Sequence, residues 1–180
     1  MKFSKTFIDG VYLIENYTNI DDRGKFVKTF NDDDFQTFEQ EFVIKESYYS
    51  ISNENVIRGM HFQLPSCDHN KLVYVAKGAV SDVVLDLRKN SKTYAEFLRI
   101  DLNDSNNKGI FIPKGCAHGF KSLINGTITV YNVDSVYNSD FDAGIHFDSF
   151  GFDWETDEPI ISKRDNSLST LSDFQLINPF

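Results

Sequence analysis

The apolar runs of this chain are short, and turn-forming residues punctuate them. Residues 71–76 and 79–87 flank Lys77-Gly78, which predicts a tight hairpin between two strands. Residues 118–124 and 127–133 flank Asn125-Gly126, the strongest hairpin signal in the chain. Further strands are predicted over 94–102 and 109–113, with a turn-rich stretch between them, and a short one over 145–147. Helical signals are few. Asp32-Asp-Asp34 predicts the cap of a short helix running through Gln40, where negative charge meets the positive end of the helix dipole. Residues 167–174 predict a second. Many strands at short spacing argue for an all-β sandwich or jelly roll. Barrel-like jelly rolls leave a mouth where small molecules bind, whereas a generic sandwich with no pocket has the same pattern.

Composition supports that class. The 180 residues include 17 Phe and 8 Tyr, which favour strands. One domain over residues 1–180 is expected, with no linker or repeat. A domain of this size removes roughly 70% of its unfolded surface from water, so it needs no disulfide or metal to hold a core. No apolar run approaches the ~18 residues of a membrane helix. Lys5, Asp9, Gly10 and Glu15 break the opening residues, so no signal peptide is expected. Cys67 and Cys116 form no scaffold pattern and read as reduced thiols of a cytoplasmic protein. With Lys+Arg at 18 and Asp+Glu at 27, the net charge of -9 disfavours duplex nucleic acid as a partner. A single phosphorylated small molecule is compatible with it, because a few arginines act at short range.

Several side chains are candidates for chemistry. His61, in Ile57-Arg-Gly-Met-His-Phe-Gln63, is a natural proton acceptor near neutral pH, or else a histidine hydrogen-bonded in a β core. No His-x-His occurs, His69 lies in a polar loop, and the cysteines are 49 residues apart (67 to 116), so no metal site is predicted. His118 sits in Pro113-Lys-Gly-Cys-Ala-His-Gly-Phe120, where the glycines permit tight turning. By alternation Lys71 shares a face with Val73 and Val75. An inward lysine needs a partner or a purpose; the alternative is an edge-strand lysine that discourages aggregation. Tyr131 and Tyr137 share a face if their strand is unbroken, as proton donors or as ordinary sheet aromatics. Arg23, Arg58 and Arg164 carry the planar fork that matches phosphate, although Asp21, Asp22 and Asp165 offer local partners to two of them.

Taken in order, these pieces resemble one family. The set runs from Asp22-Arg-Gly-Lys-Phe26 through Arg58-Gly-Met-His-Phe-Gln63, Lys71-Leu-Val and Asp82-Val-Val-Leu-Asp-Leu-Arg88. It continues through Ile112-Pro-Lys-Gly-Cys-Ala-His-Gly-Phe120, Tyr131, Tyr137, Gly151-Phe-Asp-Trp154 and Pro159-Ile-Ile-Ser-Lys-Arg-Asp165. It is similar to the dTDP-4-dehydrorhamnose 3,5-epimerase family over about residues 7–175. The resemblance implies a double-stranded β-helix (cupin) fold, a homodimer and no metal or other cofactor. It implies a nucleotide-diphosphate 4-keto-6-deoxy sugar as substrate. It also implies inversion at C3 and/or C5 by proton abstraction beside the C4 ketone, through an enolate, and reprotonation.

By the same resemblance His61 is the base, Asp165 its carboxylate partner, Lys71 the lysine that faces the enolate oxygen and Tyr131 the acid on the opposite face. His118, Gln63 and Tyr137 resemble residues near the ketone or sugar. Arg58 and Arg164 resemble diphosphate or sugar contacts. Arg23 and Phe26 resemble a nucleotide-side pair that a partner subunit supplies. Arg58 and His61 are three apart, so a regular strand would point them to opposite faces; a shared site requires a bulge at Gly59. The chain departs from the family at Lys28, where Glu is common, and at Glu46-Ser-Tyr-Tyr49, which replaces a Gln-Asp-Asn-His-like run. Both lie on the nucleotide or sugar side, so the chemistry is expected to be kept while the nucleotide and sugar stay open. Two other readings fit the scaffold: a 3,4-ketoisomerase, and a non-catalytic sugar-nucleotide-binding cupin.

Overall fold

The computed structural model describes residues 1–37 and 42–180. Two sheets face each other. The first is six-stranded, in the order β1 (Lys2–Lys5), β2 (Tyr12–Glu15), β10 (Lys108–Ile112), β7 (Lys71–Lys77), β12 (Thr127–Val133), β5 (Glu46–Ser52). The second is five-stranded, in the order β13 (Asp142–Gly144), β6 (Ile57–Gln63), β11 (Cys116–Ser122), β8 (Ala79–Asp86), β9 (Phe97–Asn103). A separate hairpin joins β3 (Tyr17–Asp21) to β4 (Gly24–Lys28). The architecture is the expected jelly roll with a few short helices.

Alternation builds the core from both sides. Val73 and Val75 of β7, Ile110 of β10 and Tyr131 of β12 meet Val80 and Val84 of β8, Leu102 of β9 and Phe120 of β11 between the sheets. The opposite face of β8 turns Val83 and Leu85 outward, where Phe150, Phe152, Trp154 and Phe174 cover them. Strand β8 is thus buried on both faces, which is why residues 79–87 read as a nearly continuous apolar run. On the far side of the six-stranded sheet, Phe35 of helix α1 (Asp32–Gln36) packs on Ile14, Leu72 and Phe111.

Both predicted hairpins are corners instead. Strands β7 and β8 lie in different sheets, and so do β11 and β12. At Gly78 (φ 85°) and Gly126 (φ 74°) the chain crosses from one sheet to the other. A positive-φ glycine reverses the chain whichever strand comes next, so the turn signal carries no information on pairing. At Gly78 a side chain would also crowd Thr127, whose Cα lies 3.0 Å from the ideal Cβ position. Helix α1 is capped by Asn31, which precedes the predicted cap and accepts from the Asp33 amide at 3.1 Å; its predicted end at Gln40 lies outside the described residues. The second helix, α2, spans Leu171–Gln175 and is capped by Thr170, so it starts later than predicted. Over 145–147 there is no strand; Ile145 makes a single bridge to Ser169, after β13 has ended.

Candidate active site

The site opens between the two sheets. Strand β6 contributes His61, with Gln63 beyond it. Opposite His61, strand β11 places His118 as its cross-strand neighbour. Two residues, Gly59 and Met60, lie between Arg58 and His61 on β6, while only Gly119 lies between their partners Phe120 and His118 on β11, so β6 carries one extra residue. The bulge falls at Gly59, as the shared site requires. Its φ is 127°, and an added Cβ would lie 2.5 Å from the Cα of Gly119 and 2.8 Å from the carbonyl oxygen of His118. Only two glycines facing each other allow this approach.

The bulge also turns a donor toward the site. The Gly59 amide donates to Asp165 Oδ2 at 3.3 Å, while Asp165 Oδ1 lies 2.8 Å from His61 Nε2. Asp165 sits in a 3₁₀ turn, Asp165–Ser167, and its own amide donates to Ser162 Oγ at 3.0 Å. The carboxylate therefore takes the Nε2 proton and leaves the Nδ1 lone pair of His61 unclaimed by any described residue. Arg164 Nη1 stands 3.0 Å from the same Oδ1 and 2.7 Å from His61 Nε2, and Nη2 donates to Asp142 Oδ2 at 2.5 Å. Burial pulls the His61 pKa below its ordinary value, against the pull of Asp165. The shift favours the neutral imidazole, the form that accepts a proton. Asp165 is held down at about 2: its bonds to His61 and Gly59 outweigh the burial that pushes it up.

The facing sheet supplies the other groups. Lys71 heads β7, which lies between β10 and β12, so it is no edge lysine. It is buried, and its Nζ donates to the His61 carbonyl at 3.2 Å. Burial lowers its pKa to about 8, opposed by the carboxylates of Asp142 and Asp82. Register places Lys71, Val133 and Glu46 in one row across β7, β12 and β5, and Val73, Tyr131 and Tyr48 two rows on, on the same face. The rings of Tyr48 and Tyr131 are stacked, 4.9 Å between centroids and 18° between planes.

One cavity of about 410 Å³ collects these elements; its lining includes His61, Lys71, Tyr48, Glu46, Tyr137 and Arg164. That volume suits a sugar and part of its diphosphate. A second groove of about 440 Å³ shares His61 and Arg164 and adds Arg58 and Asp165. Arg58 bonds Ser52 Oγ at 3.1 Å and the Ile51 carbonyl at 3.3 Å. Tyr137 lines the main cavity with its hydroxyl 3.4 Å from Asp142 Oδ2, and its amide donates to Glu46 Oε2 at 2.8 Å. Gln63 is a lining residue whose amide is already engaged: it bonds the Cys67 carbonyl, His69 Nδ1 and the Asn138 amide. His118 and Tyr131 stand behind the wall. His118 Nε2 pairs with fully buried Asp82 at 2.8 Å, and the Tyr131 hydroxyl meets Ser50 Oγ at 3.1 Å.

Arg23 and Phe26 are the two candidates not gathered here. They ride on the β3–β4 hairpin, where Arg23 pairs with Asp21 at 2.6 Å and Phe26 is exposed. Asp142 lines the cavity without having been singled out in the sequence, while Asp82, quoted only within a motif, pairs with His118 behind the wall, and His69, weighed only as a metal ligand, lines the cavity. Asp82 had a signal, a carboxylate inside an apolar strand run; Asp142 had none. Burial pushes the His69 pKa down to about 3, so the ring is a neutral cavity wall. Among the described residues no three His, Cys, Asp or Glu side chains gather in a metal-holding group, and no helix is long and apolar enough to cross a membrane.

Comparison with known proteins shows the family. The family model described as dTDP-4-dehydrorhamnose 3,5-epimerase matches residues 5–173. The chain is 39% identical over 175 residues to the dTDP-4-dehydrorhamnose 3,5-epimerase of Methanothermobacter thermautotrophicus, covering 94% of each chain. It is 34% identical over 179 residues to that of Escherichia coli, covering 96% of each. A crystal structure of the Bacillus anthracis enzyme with TDP and PPi bound superposes with a TM-score of 0.91 at 34% identity, covering 94% of this chain and 99% of that one.

Proposed function

The chain belongs to the dTDP-4-dehydrorhamnose 3,5-epimerase family, and from that membership we propose how its own residues carry the reaction. It is an isomerase that inverts carbon next to the C4 ketone of a nucleotide-linked 4-keto-6-deoxy sugar. His61 Nδ1 takes the proton of the C–H beside the ketone. Asp165 holds the ring in the tautomer that leaves Nδ1 free and stabilises the imidazolium that forms. Charge then moves to the ketone oxygen, where the buried Lys71 ammonium meets it. A phenol from the facing sheet returns a proton to the other side of the carbon; the family resemblance gives that part to Tyr131. Arg58 and Arg164 bind diphosphate or sugar oxygens, with Tyr137 and Gln63 on the sugar side and His118 supporting the wall near the ketone.

The observation that carries this reading is the placement of His61, paired with Asp165, on one sheet and of Lys71 on the other, with both side chains lining one cavity. Solvent deuterium uptake by a 4-keto sugar nucleotide tests it. Uptake at C3 alone marks a 3-epimerase, and uptake at C3 and C5 the double reaction. A chain that exchanges neither hydrogen is no epimerase.

The working form is proposed to be a homodimer. The β3–β4 hairpin belongs to neither main sheet, and carries exposed Arg23, Ile20 and Phe26. An arm of this kind, with a cation and an aromatic at its end, suits the nucleotide bound by a second copy of the chain.

A further inference from the structure

Building on that reading, which makes Tyr131 the proton donor, we propose that Ser50 is a positioning residue of the reaction: its hydroxyl aims the Tyr131 phenol and returns a proton to it after each inversion. The two residues lie on neighbouring strands of the sheet that faces His61. Register sets Tyr48 opposite Tyr131 and Ser50 opposite Thr129, so Ser50 is a diagonal neighbour of Tyr131 on the same face. Each neighbour holds a different part of the phenol. Tyr48 stacks on the ring, while Ser50 Oγ lies 3.1 Å from the hydroxyl and is its one hydrogen-bond partner among the described residues. Thr129 offers another hydroxyl on that face, but its Oγ1 is buried with no hydrogen-bond partner among the described residues. Ser50 is thus the side chain that fixes where the phenolic proton points.

A phenol that gives up its proton here becomes an anion where anions are disfavoured. Burial pushes the Tyr131 pKa up; the Ser50 hydrogen bond pulls it back, Tyr48 and Asp82 push it further, and Arg58 opposes them. His118, paired with Asp82, meets the Tyr131 ring edge-on at 6.3 Å between centroids. Of these groups only Ser50 bonds the oxygen that carries the charge. Tyr131 is 8% exposed beneath the Tyr48 ring, whereas Ser50 is half-buried on β5, the edge strand of its sheet. Water therefore reaches the phenolate through Ser50 more readily than directly. The C–H bond breaks and its proton goes to His61 Nδ1, leaving the electron pair in the enolate, with the charge on the ketone oxygen beside Lys71. The enolate carbon takes the Tyr131 proton on the opposite face, a new C–H bond forms and the C=O bond is restored. The phenolate oxygen, already accepting from Ser50, takes the Ser50 proton, and Ser50 takes one from water. His61 releases its extra proton to solvent, so the site returns to its starting charge.

The test uses full-length protein in D2O with dTDP-4-keto-6-deoxyglucose, following deuterium uptake and configuration by NMR. Ser50→Ala is expected to lower inversion by roughly 10–100-fold, the worth of a hydrogen bond to a charged group. Deuterium still enters with retention, because His61 removes and returns hydrogen on its own face. Ser50→Thr and Ser50→Val are a matched pair that differ by the hydroxyl alone, on a strand that suits β-branched residues. The Thr variant is expected to recover inversion and the Val variant to fall with Ser50→Ala; this pair carries the comparison if Ser50→Ala folds poorly. In a Tyr131→Phe background Ser50→Ala is expected to cause no further loss, since both changes act on one proton. Ser50→Ala or Ser50→Val inverting at the wild-type rate, or losing exchange and inversion in equal measure, overturns the proposal and leaves the family reading standing. Wild-type protein that exchanges no sugar hydrogen overturns the epimerase reading and this proposal with it.

Discussion

The chemistry of single residues is set by what surrounds them. His61 and Lys71 both lose part of their charge preference to burial, and the consequences for pH have opposite signs. The base works only when deprotonated, so kcat/KM rises with pH through a pKa lying below the ordinary histidine value of 6.5. The lysine works only when protonated, so kcat/KM falls as pH passes about 8. The expected profile is a bell between those limbs. Lys71→Met is expected to lower turnover by roughly 10²–10³-fold and to abolish the alkaline limb; an unchanged limb would place the second titration elsewhere. His61→Asn removes the base itself and is expected to abolish exchange as well as inversion, which steady-state turnover and deuterium uptake measure together. His61 and Lys71 were legible in sequence because their motifs are contiguous with strands, whereas Asp165, in a 3₁₀ turn, was legible only through the family motif Pro159–Asp165. Asp142 was not: it reaches the site through its ion pair with Arg164, and nothing local marks a carboxylate at a turn as a partner of a distant arginine. Tyr48 was visible only as a departure from the family pattern; its position over Tyr131 depends on β5–β12 register, which no local signal encodes.

At the scale of elements, one bulge organises the site. If the same residues of β6 ran as a regular strand without the bulge, Arg58 and His61, three apart, would face opposite sides and the Gly59 amide would not turn to Asp165. Gly59→Ala combines a positive φ with a collision against the Gly119 backbone. It is expected to cost ~1–3 kcal/mol of stability, measured by denaturant unfolding, and to reduce activity further by displacing His61. A variant as stable and active as wild type would show that the strand relaxes without cost. The bulge was predictable because spacing and alternation conflicted at named residues. Pairing was not. Lys77-Gly78 and Asn125-Gly126 mark real chain reversals, but both lead into the other sheet of a jelly roll, where closure depends on long-range contacts such as Val73 and Val75 against Val80 and Val84. The strands themselves were legible because β12 is mostly β-branched and β8 carries Val80, Val83, Val84 and Leu85 in one short run.

For the whole molecule, the net charge of -9 leaves anion binding to a few local cations. Arg58 and Arg164 sit at the site, while Arg23 is carried away from it on the β3–β4 hairpin. In the proposed dimer, each cavity is completed by the arm of the other chain. This arrangement makes a prediction that a monomer cannot satisfy. Arg23→Ala with Phe26→Ala disables the arm, and His61→Asn disables the cavity. Each variant alone forms dimers in which both sites are defective. A mixed dimer holds one site with both defects and one with neither, because the intact His61 of one chain meets the intact arm of the other. Equal mixing with subunit exchange makes half of the dimers mixed, so activity is expected to recover to about a quarter of wild type. Sedimentation velocity on the same mixture reports the dimer. Two inactive chains that sediment as exchanging dimers and recover no activity would confine the arm to its own subunit and remove Arg23 and Phe26 from the site.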